Sequence, residues 1–222
     1  MSGLLTTPPE VLGPTRREVV VVEGRTFLIE RPTDTAATLE PVGGAAGRYL
    51  PYWVDLWPAA RMLAKWIVRQ QWQAGTRALE VGCGLGLPGV AALSMGLRVT
   101  FGDCDSTALA FASRNARLNG LADFETLQMD WNDPPDVRFP LILASDLIYE
   151  ERNVAPVVAL VGRMLADDGV CLLTDQDRPP SAGLRRRLAE AGLAFTTRLL
   201  RAGEPCGRRA KGTLYRITRS AG

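Results

Sequence analysis

The chain has 222 residues, 46% of them hydrophobic and 23% charged, with a formal net charge of +2. That size and composition suit one α/β domain with an extension and a sizeable core, and exclude a disordered chain. The lack of any histidine excludes Ser-His-Asp and Cys-His hydrolase mechanisms, and no apolar run approaches the roughly 18 residues of a membrane span.

The start, Met1 to Pro9, has neither a basic region nor a long apolar stretch, so no signal peptide and a cytoplasmic location are expected. Residues 1–17 carry Pro and Gly and read as a mobile lead-in. Val19 to Val22, then Glu23-Gly24-Arg25, then Thr26 to Glu30 read as a β-hairpin. Residues 32–47 are small and polar, a linker, so residues 1–47 form an N-terminal extension and 48–222 the main domain. Residues 61–71 have helical spacing, with Met62, Leu63, Trp66, Ile67 and Gln70 on one face. Strands and helices then alternate from Ala78 to Asp175, the pattern of a largely parallel sheet. The helices fall near 88–95, 106–119 and 153–166, and a strand covers 170–174. A helix over 182–191 follows. Residues 195–200 and 213–218 read as a final antiparallel pair.

Chemistry concentrates where strands meet helices. Leu79-Glu80-Val81-Gly82-Cys83-Gly84-Leu85-Gly86-Leu87-Pro88-Gly89 runs from an apolar strand through G-x-G-x-G into a helix. A glycine loop there lets backbone approach a ligand closely, and the following helix aims its N-terminal amides at the same point. A dinucleotide fingerprint reads G-x-G-x-x-G; here the third glycine comes one residue early. A carboxylate at the strand tip, Glu80, would repel a pyrophosphate. It suits a cofactor carrying an amino group and a sulfonium, which favours S-adenosylmethionine over NAD.

Acidic residues close three further strands. Asp103 ends Arg98 to Asp103, 17 residues after Gly86, where a carboxylate can accept from both ribose hydroxyls; Asp105 or Ser106 caps the next helix. Asp130-Trp131 follows the strand Phe124 to Gln128, with a carboxylate for an adenine amino group and an indole to flank the ring. Ser145-Asp146-Leu147-Ile148-Tyr149 follows Leu141 to Ala144. Open parallel sheets bind ligands at these carboxyl ends.

With those motifs in view, residues 48–219 resemble class I S-adenosylmethionine-dependent methyltransferases. More narrowly the chain is similar to methyltransferase family 16, mostly protein lysine methyltransferases. Three segments carry that match: Leu50 to Ala60, rich in aromatics; Asp130-Trp131; and Ser145 to Tyr149, which fits the family's D-x-x-Y pattern. The resemblance implies a Rossmann-like, doubly wound seven-stranded sheet, order 3-2-1-4-5-7-6 with an antiparallel last strand. It also implies cofactor contact by Trp57. The expected cofactor residues are thus Trp57, Glu80, Gly82, Cys83, Gly84, Gly86, Asp103, Asp130, Trp131 and Ser145.

Methyl transfer needs a nucleophile aligned with the C–S bond and water kept out. A lysine ammonium must first lose a proton. Asp146 is the expected catalytic residue that orients the amine, with Tyr149 positioning it, while Glu150 and Glu151 add negative potential. A small-molecule N- or O-methyltransferase is the alternative, its lid supplied by the hairpin and Tyr52 to Trp57. An RNA methyltransferase is less favoured. Residues 178–222 hold eleven Lys or Arg against Glu190 and Glu204, yet no aromatic residues interleave with them to stack bases. Asn132-Asp133-Pro134-Pro135 only superficially resembles a nucleobase-methylation tetrad. Four scattered cysteines, Cys83, Cys104, Cys171 and Cys206, lack C-x-x-C spacing, so no metal is expected.

Overall fold

The structure, a computed structural model, describes residues 14–33, 52–203, 207 and 209–220. The lead-in before residue 14, nearly all of the 32–47 linker, Leu50, Pro51, Cys206 and Arg208 lie outside these residues.

The N-terminal hairpin pairs β1 (Thr15–Val22) with β2 (Arg25–Pro32). Val22 faces Arg25 across a two-residue turn, Glu23-Gly24, in which both residues have positive φ, 49° and 77°. This is the turn geometry whose twist matches that of paired strands, and a glycine at its second position suits it. Strand alternation buries Val20, Val22, Phe27 and Ile29 and leaves Val19 and Val21 in solvent.

Seven strands make the main sheet: β3 (Arg77–Val81), β4 (Arg98–Asp103), β5 (Phe124–Gln128), β6 (Phe139–Ser145), β7 (Leu165–Asp175), β8 (Leu193–Gly203) and β9 (Arg209–Arg219). Their order is β5-β4-β3-β6-β7-β9-β8, and β9 runs antiparallel to both neighbours while β3 to β7 are mutually parallel. Counted within this sheet, that is the 3-2-1-4-5-7-6 order expected above. The central strands β3 and β6 are buried on both faces over most of their length, as strands covered on both sides are.

Helices α1 (Pro58–Val68), α2 (Leu87–Ser94) and α3 (Ser106–Leu118) cover one face together with the hairpin; α4 (Val154–Met164) and α5 (Leu184–Glu190) cover the other. Helix α1 begins at Pro58, three residues before the expected start, because proline at the first turn presets φ and lacks only an N–H that would be unpaired anyway. The helix expected over 153–166 ends at Met164, where Leu165 turns extended and enters β7.

The hairpin is stitched to α3 by two asparagines. Fully buried Asn115 accepts from Glu30 N at 2.7 Å and donates to Glu30 O at 3.1 Å and Leu85 O at 2.9 Å. Asn119 accepts from Leu28 N and donates to Leu28 O. Each side-chain amide thus completes a backbone donor and acceptor on β2. Leaving one such buried group unpaired costs about 1–3 kcal/mol. Through Leu85, the same bond set also braces the glycine loop.

Candidate active site

At the carboxyl ends of β3, β4, β6 and β7 lies a cavity of about 240 Å³. Its floor is the loop from Gly82 to Gly86 that links β3 to α2. Gly86 has φ +76°, and a Cβ there would stand 2.9 Å from that of Ala112, so both conformation and space require glycine. The loop is tied by bonds from Cys83 N to Gly102 O and from Gly86 N to Cys83 O.

Asp103, at the tip of β4, is 8% exposed and lines the cavity. One carboxylate oxygen accepts from Gly84 N and the other from Asp105 N, both at 3.0 Å, so each oxygen keeps a lone pair for a further donor. Burial pushes its pKa up, and the two amides pull it back. Asp105 accepts from Thr107 N at 2.7 Å, capping α3 as expected, and also takes the indole N–H of Trp53 at 2.6 Å.

On the far side, Asp146 follows β6. It is 7% exposed and has φ +59°, a conformation rare outside glycine and asparagine or aspartate. Its own N–H bonds to Thr174 O at 2.9 Å. Its carboxylate accepts from Gln176 Nε2 at 2.6 Å on one oxygen and from the Arg178 guanidinium on the other. Burial raises its pKa while Arg178 and Gln176 oppose that rise. Tyr149 lines the same cavity, and burial, then the charge of Glu150, raises the pKa of its phenol, so it stays protonated and available as a donor. An arc of rings walls the mouth: Tyr149 lies 4.9 Å from Tyr52 and 6.4 Å from Trp131, and Tyr52 lies 6.5 Å from Trp57.

Of the residues singled out from sequence, the structure brings Trp57, Gly82, Cys83, Gly84 and Gly86 to this cavity, together with Asp103, Trp131, Ser145, Asp146 and Tyr149. Four stand outside its lining: Glu80, Asp130, Glu150 and Glu151. Glu80 is 1% exposed and points toward α2, because alternation along β3 sends Leu79 and Val81 to one face and Ala78 and Glu80 to the other. There Glu80 Oε2 accepts from Gly89 N at 2.9 Å, and Oε1 is buried without a partner. Burial drives the pKa of this carboxyl well above 4.5. It braces the start of α2 from beneath the loop and does not face the ligand space. Asp130 is exposed, and one of its carboxylate oxygens is bonded to both the backbone and the side chain of Asn132. Glu150 pairs with Arg152 at 2.5 Å.

Arg178 was not singled out from the sequence, where it headed the Arg-rich stretch of residues 178–222, yet it lines the cavity. Among the described residues that line the cavity it is the one base, against the carboxylates of Asp55, Asp103 and Asp146. That balance is wrong for a pyrophosphate and right for a ligand with a sulfonium and an ammonium. Glycine backbone for close approach, Asp103 for hydroxyl donors, and Met129 and Trp131 for an apolar ring together fit S-adenosylmethionine. Among the described residues no group of acidic, cysteine or histidine side chains is arranged to hold a metal, and no helix is long and apolar enough to cross a membrane.

Comparison with known proteins gives the family and the fold. The family model described as lysine methyltransferase matches residues 53–190. The electron transfer flavoprotein beta subunit lysine methyltransferase of Danio rerio is 32% identical over 103 residues, 46% of this chain and 40% of that protein. The ribosomal protein L11 methyltransferase of Aeromonas hydrophila is 35% identical over 101 residues, 44% of this chain and 35% of that protein. The matched stretch is less than half the length of either relative. The solved ribosomal protein L11 methylase of Lactobacillus delbrueckii subsp. bulgaricus has a TM-score of 0.60 and 22% identity, over 73% of this chain and 79% of that one. The N-methyltransferase NodS of Bradyrhizobium japonicum, solved with S-adenosyl-L-homocysteine, has a TM-score of 0.54 and 18% identity over 75% and 91%. At those identities the two structures share the fold.

Proposed function

The chain belongs to the lysine methyltransferase family, and from that premise we propose that it transfers a methyl group from S-adenosylmethionine to a lysine side-chain amine of a protein substrate. The observation that carries this is a single cavity with two unlike walls: the glycine loop and Asp103 on one, Asp146 and Tyr149 on the other. A donor held against the first wall has an acceptor space directly across from it.

When bound, S-adenosylmethionine supplies a methyl group already made electrophilic by its sulfonium. The residues of the chain then have three tasks. Gly82 to Gly86 and Asp103 hold and orient the cofactor, with Trp57, Trp131 and Ser145 at its edges. The aromatic arc from Trp57 to Trp131 keeps water from the reacting centre. Asp146 accepts an N–H of the neutral acceptor amine and so points its lone pair across the cavity, while the Tyr149 hydroxyl donates at the mouth. The proton lost by the incoming ammonium leaves to solvent before transfer, since a protonated amine has no lone pair.

A small-molecule amine is the second reading. It is favoured by the way Tyr52, in the short helical turn Tyr52–Val54, meets Tyr149 over the cavity and partly roofs it. Both readings fit a cytoplasmic protein, which the buried free thiols of Cys83 and Cys171 support.

The test is to incubate the purified protein with radiolabelled S-adenosylmethionine and extract from cells lacking the gene. Protein, RNA and small molecules are then separated, with Asp146→Asn as the control. Label in a protein band, absent with the variant and mapped to lysine by mass spectrometry, is the expected result. Label confined to small molecules or RNA would overturn it.

A further inference from the structure

The Arg178 guanidinium occupies the very groups that an acceptor cation would use. It donates to the Asp146 carboxylate and lies 5.8 Å from the ring centroid of Trp57, within cation–π range. The Trp57 indole is itself fixed by a 2.7 Å bond from Nε1 to Tyr52 O. A carboxylate on one side and an aromatic face on the other form a receptor for an organic cation.

The segment that presents Arg178 is held by several bonds along its backbone and by one at its tip. Asp177 has φ +55° and accepts from Thr213 Oγ1 at 2.9 Å, while its N–H bonds to Asp175 Oδ1 at 2.7 Å. Arg178 O accepts from both Ser181 N and Ser181 Oγ. The guanidinium, by contrast, grips Asp146 through one nitrogen only; its Nε is buried with no acceptor. One third of the side chain is exposed, so it has a path outward that needs no change in the turn. Gln176, bonded to the other oxygen of Asp146, would keep that carboxylate aimed when Arg178 leaves.

We propose that the acceptor subsite is self-occupied: the Arg178 guanidinium sits between Asp146 and Trp57 in place of the substrate's cationic side chain, which must displace it to bind. The idea rests on the methyltransferase reading of this cavity and adds a specificity determinant to it. A neutral side chain would leave the Asp146 carboxylate without a charged partner once Arg178 withdraws, so the subsite takes a cation. Because only the fraction of molecules with Arg178 withdrawn can accept a ligand, apparent affinity is reduced by that fraction.

The test is calorimetric binding of Nα-acetyl-lysine N-methylamide, its arginine counterpart and its neutral norleucine counterpart to the full chain saturated with S-adenosylhomocysteine. Arg178→Met is expected to bind the lysine derivative at least about tenfold more tightly than the unaltered protein does, and more tightly than it binds the norleucine derivative. Retained S-adenosylhomocysteine affinity shows that the variant is folded. Gain for neither cation overturns self-occupancy and leaves the labelling experiment to judge lysine transfer. Gain for the arginine derivative alone supports self-occupancy while counting against lysine as the acceptor. A second measurement uses the unaltered protein: the side-chain nitrogen resonance of Arg178 should shift on saturation with the lysine derivative. Binding that leaves that resonance unmoved overturns the proposal.

Discussion

On the β3–β4 side of the cavity, backbone amides do most of the holding: Gly89 N to Glu80, Gly84 N and Asp105 N to Asp103, Thr107 N to Asp105, with the Trp53 indole as a side-chain donor to Asp105. On the β6–β7 side, side chains do it: Gln176 and Arg178 to Asp146, Thr213 to Asp177. The first arrangement has a fixed shape that follows from the path of the chain, which suits one unvarying ligand. The second depends on two aspartates in left-handed conformations and on long, partly exposed side chains. A wall of that kind can be re-specified by changing a few side chains without touching the sheet, and acceptors differ where cofactors do not.

The comparison is broken most sharply at Asp146. Asparagine tolerates positive φ, so Asp146→Asn removes the charge while keeping the turn. Methyl transfer should fall about 100-fold or more, while S-adenosylmethionine affinity changes by less than about 1 kcal/mol. Rates and calorimetry on the same preparation measure both. Equal losses in the two would mean that the walls are not separable.

The converse change is Asn115→Leu in α3. It strips partners from Glu30 N, Glu30 O and Leu85 O at once, and a loss of about 3 kcal/mol in urea unfolding is expected. Because Leu85 lies in the glycine loop, cofactor affinity should drop with it. Gly89→Ala tests the same wall from below: its Cβ would collide with Glu80 Oε2 and the Phe101 ring. Overpacking of that kind costs about 1–3 kcal/mol, again with weakened cofactor binding and no separate effect on the acceptor.

The two walls also differ in how far they were legible. Gly82, Gly84, Gly86 and Asp103 stand within one strand–helix–strand unit, so local spacing alone placed them at a common edge. Glu80 was the exception. Strand β3 is buried on both faces, so nothing in its pattern told which face position 80 would take; the pairing of Glu80 with Phe101 and the packing of α2 decide it. The sheet order came from family resemblance, since non-local pairing leaves no local trace. Arg178 was out of reach for the same reason. It meets Asp146 across 32 residues because β6 and β7 lie parallel and end side by side, and its surroundings in sequence, proline and then more arginine, point only to solvent.

Glu80 provides the finest distinction, because its cost is paid in the fold and not at the ligand. Burial raises its pKa well above 4.5, so between that value and the raised one the folded chain binds more protons than the unfolded chain. By linkage, stability then falls as pH rises through this window and is highest below it. Glu80→Gln cannot ionise, yet its amide oxygen can still accept from Gly89 N. Subtracting the variant's stability from that of the unaltered protein should give a curve that declines from about pH 4.5 upward and then levels. Asp146 and Asp175, likewise raised by burial, remain in both proteins and cancel in the difference, whereas Asp103, whose charge adds to the rise at Glu80, contributes to the curve through that coupling. A flat difference curve would mean that Glu80 ionises without penalty, and that the amide of Gly89 alone offsets its burial.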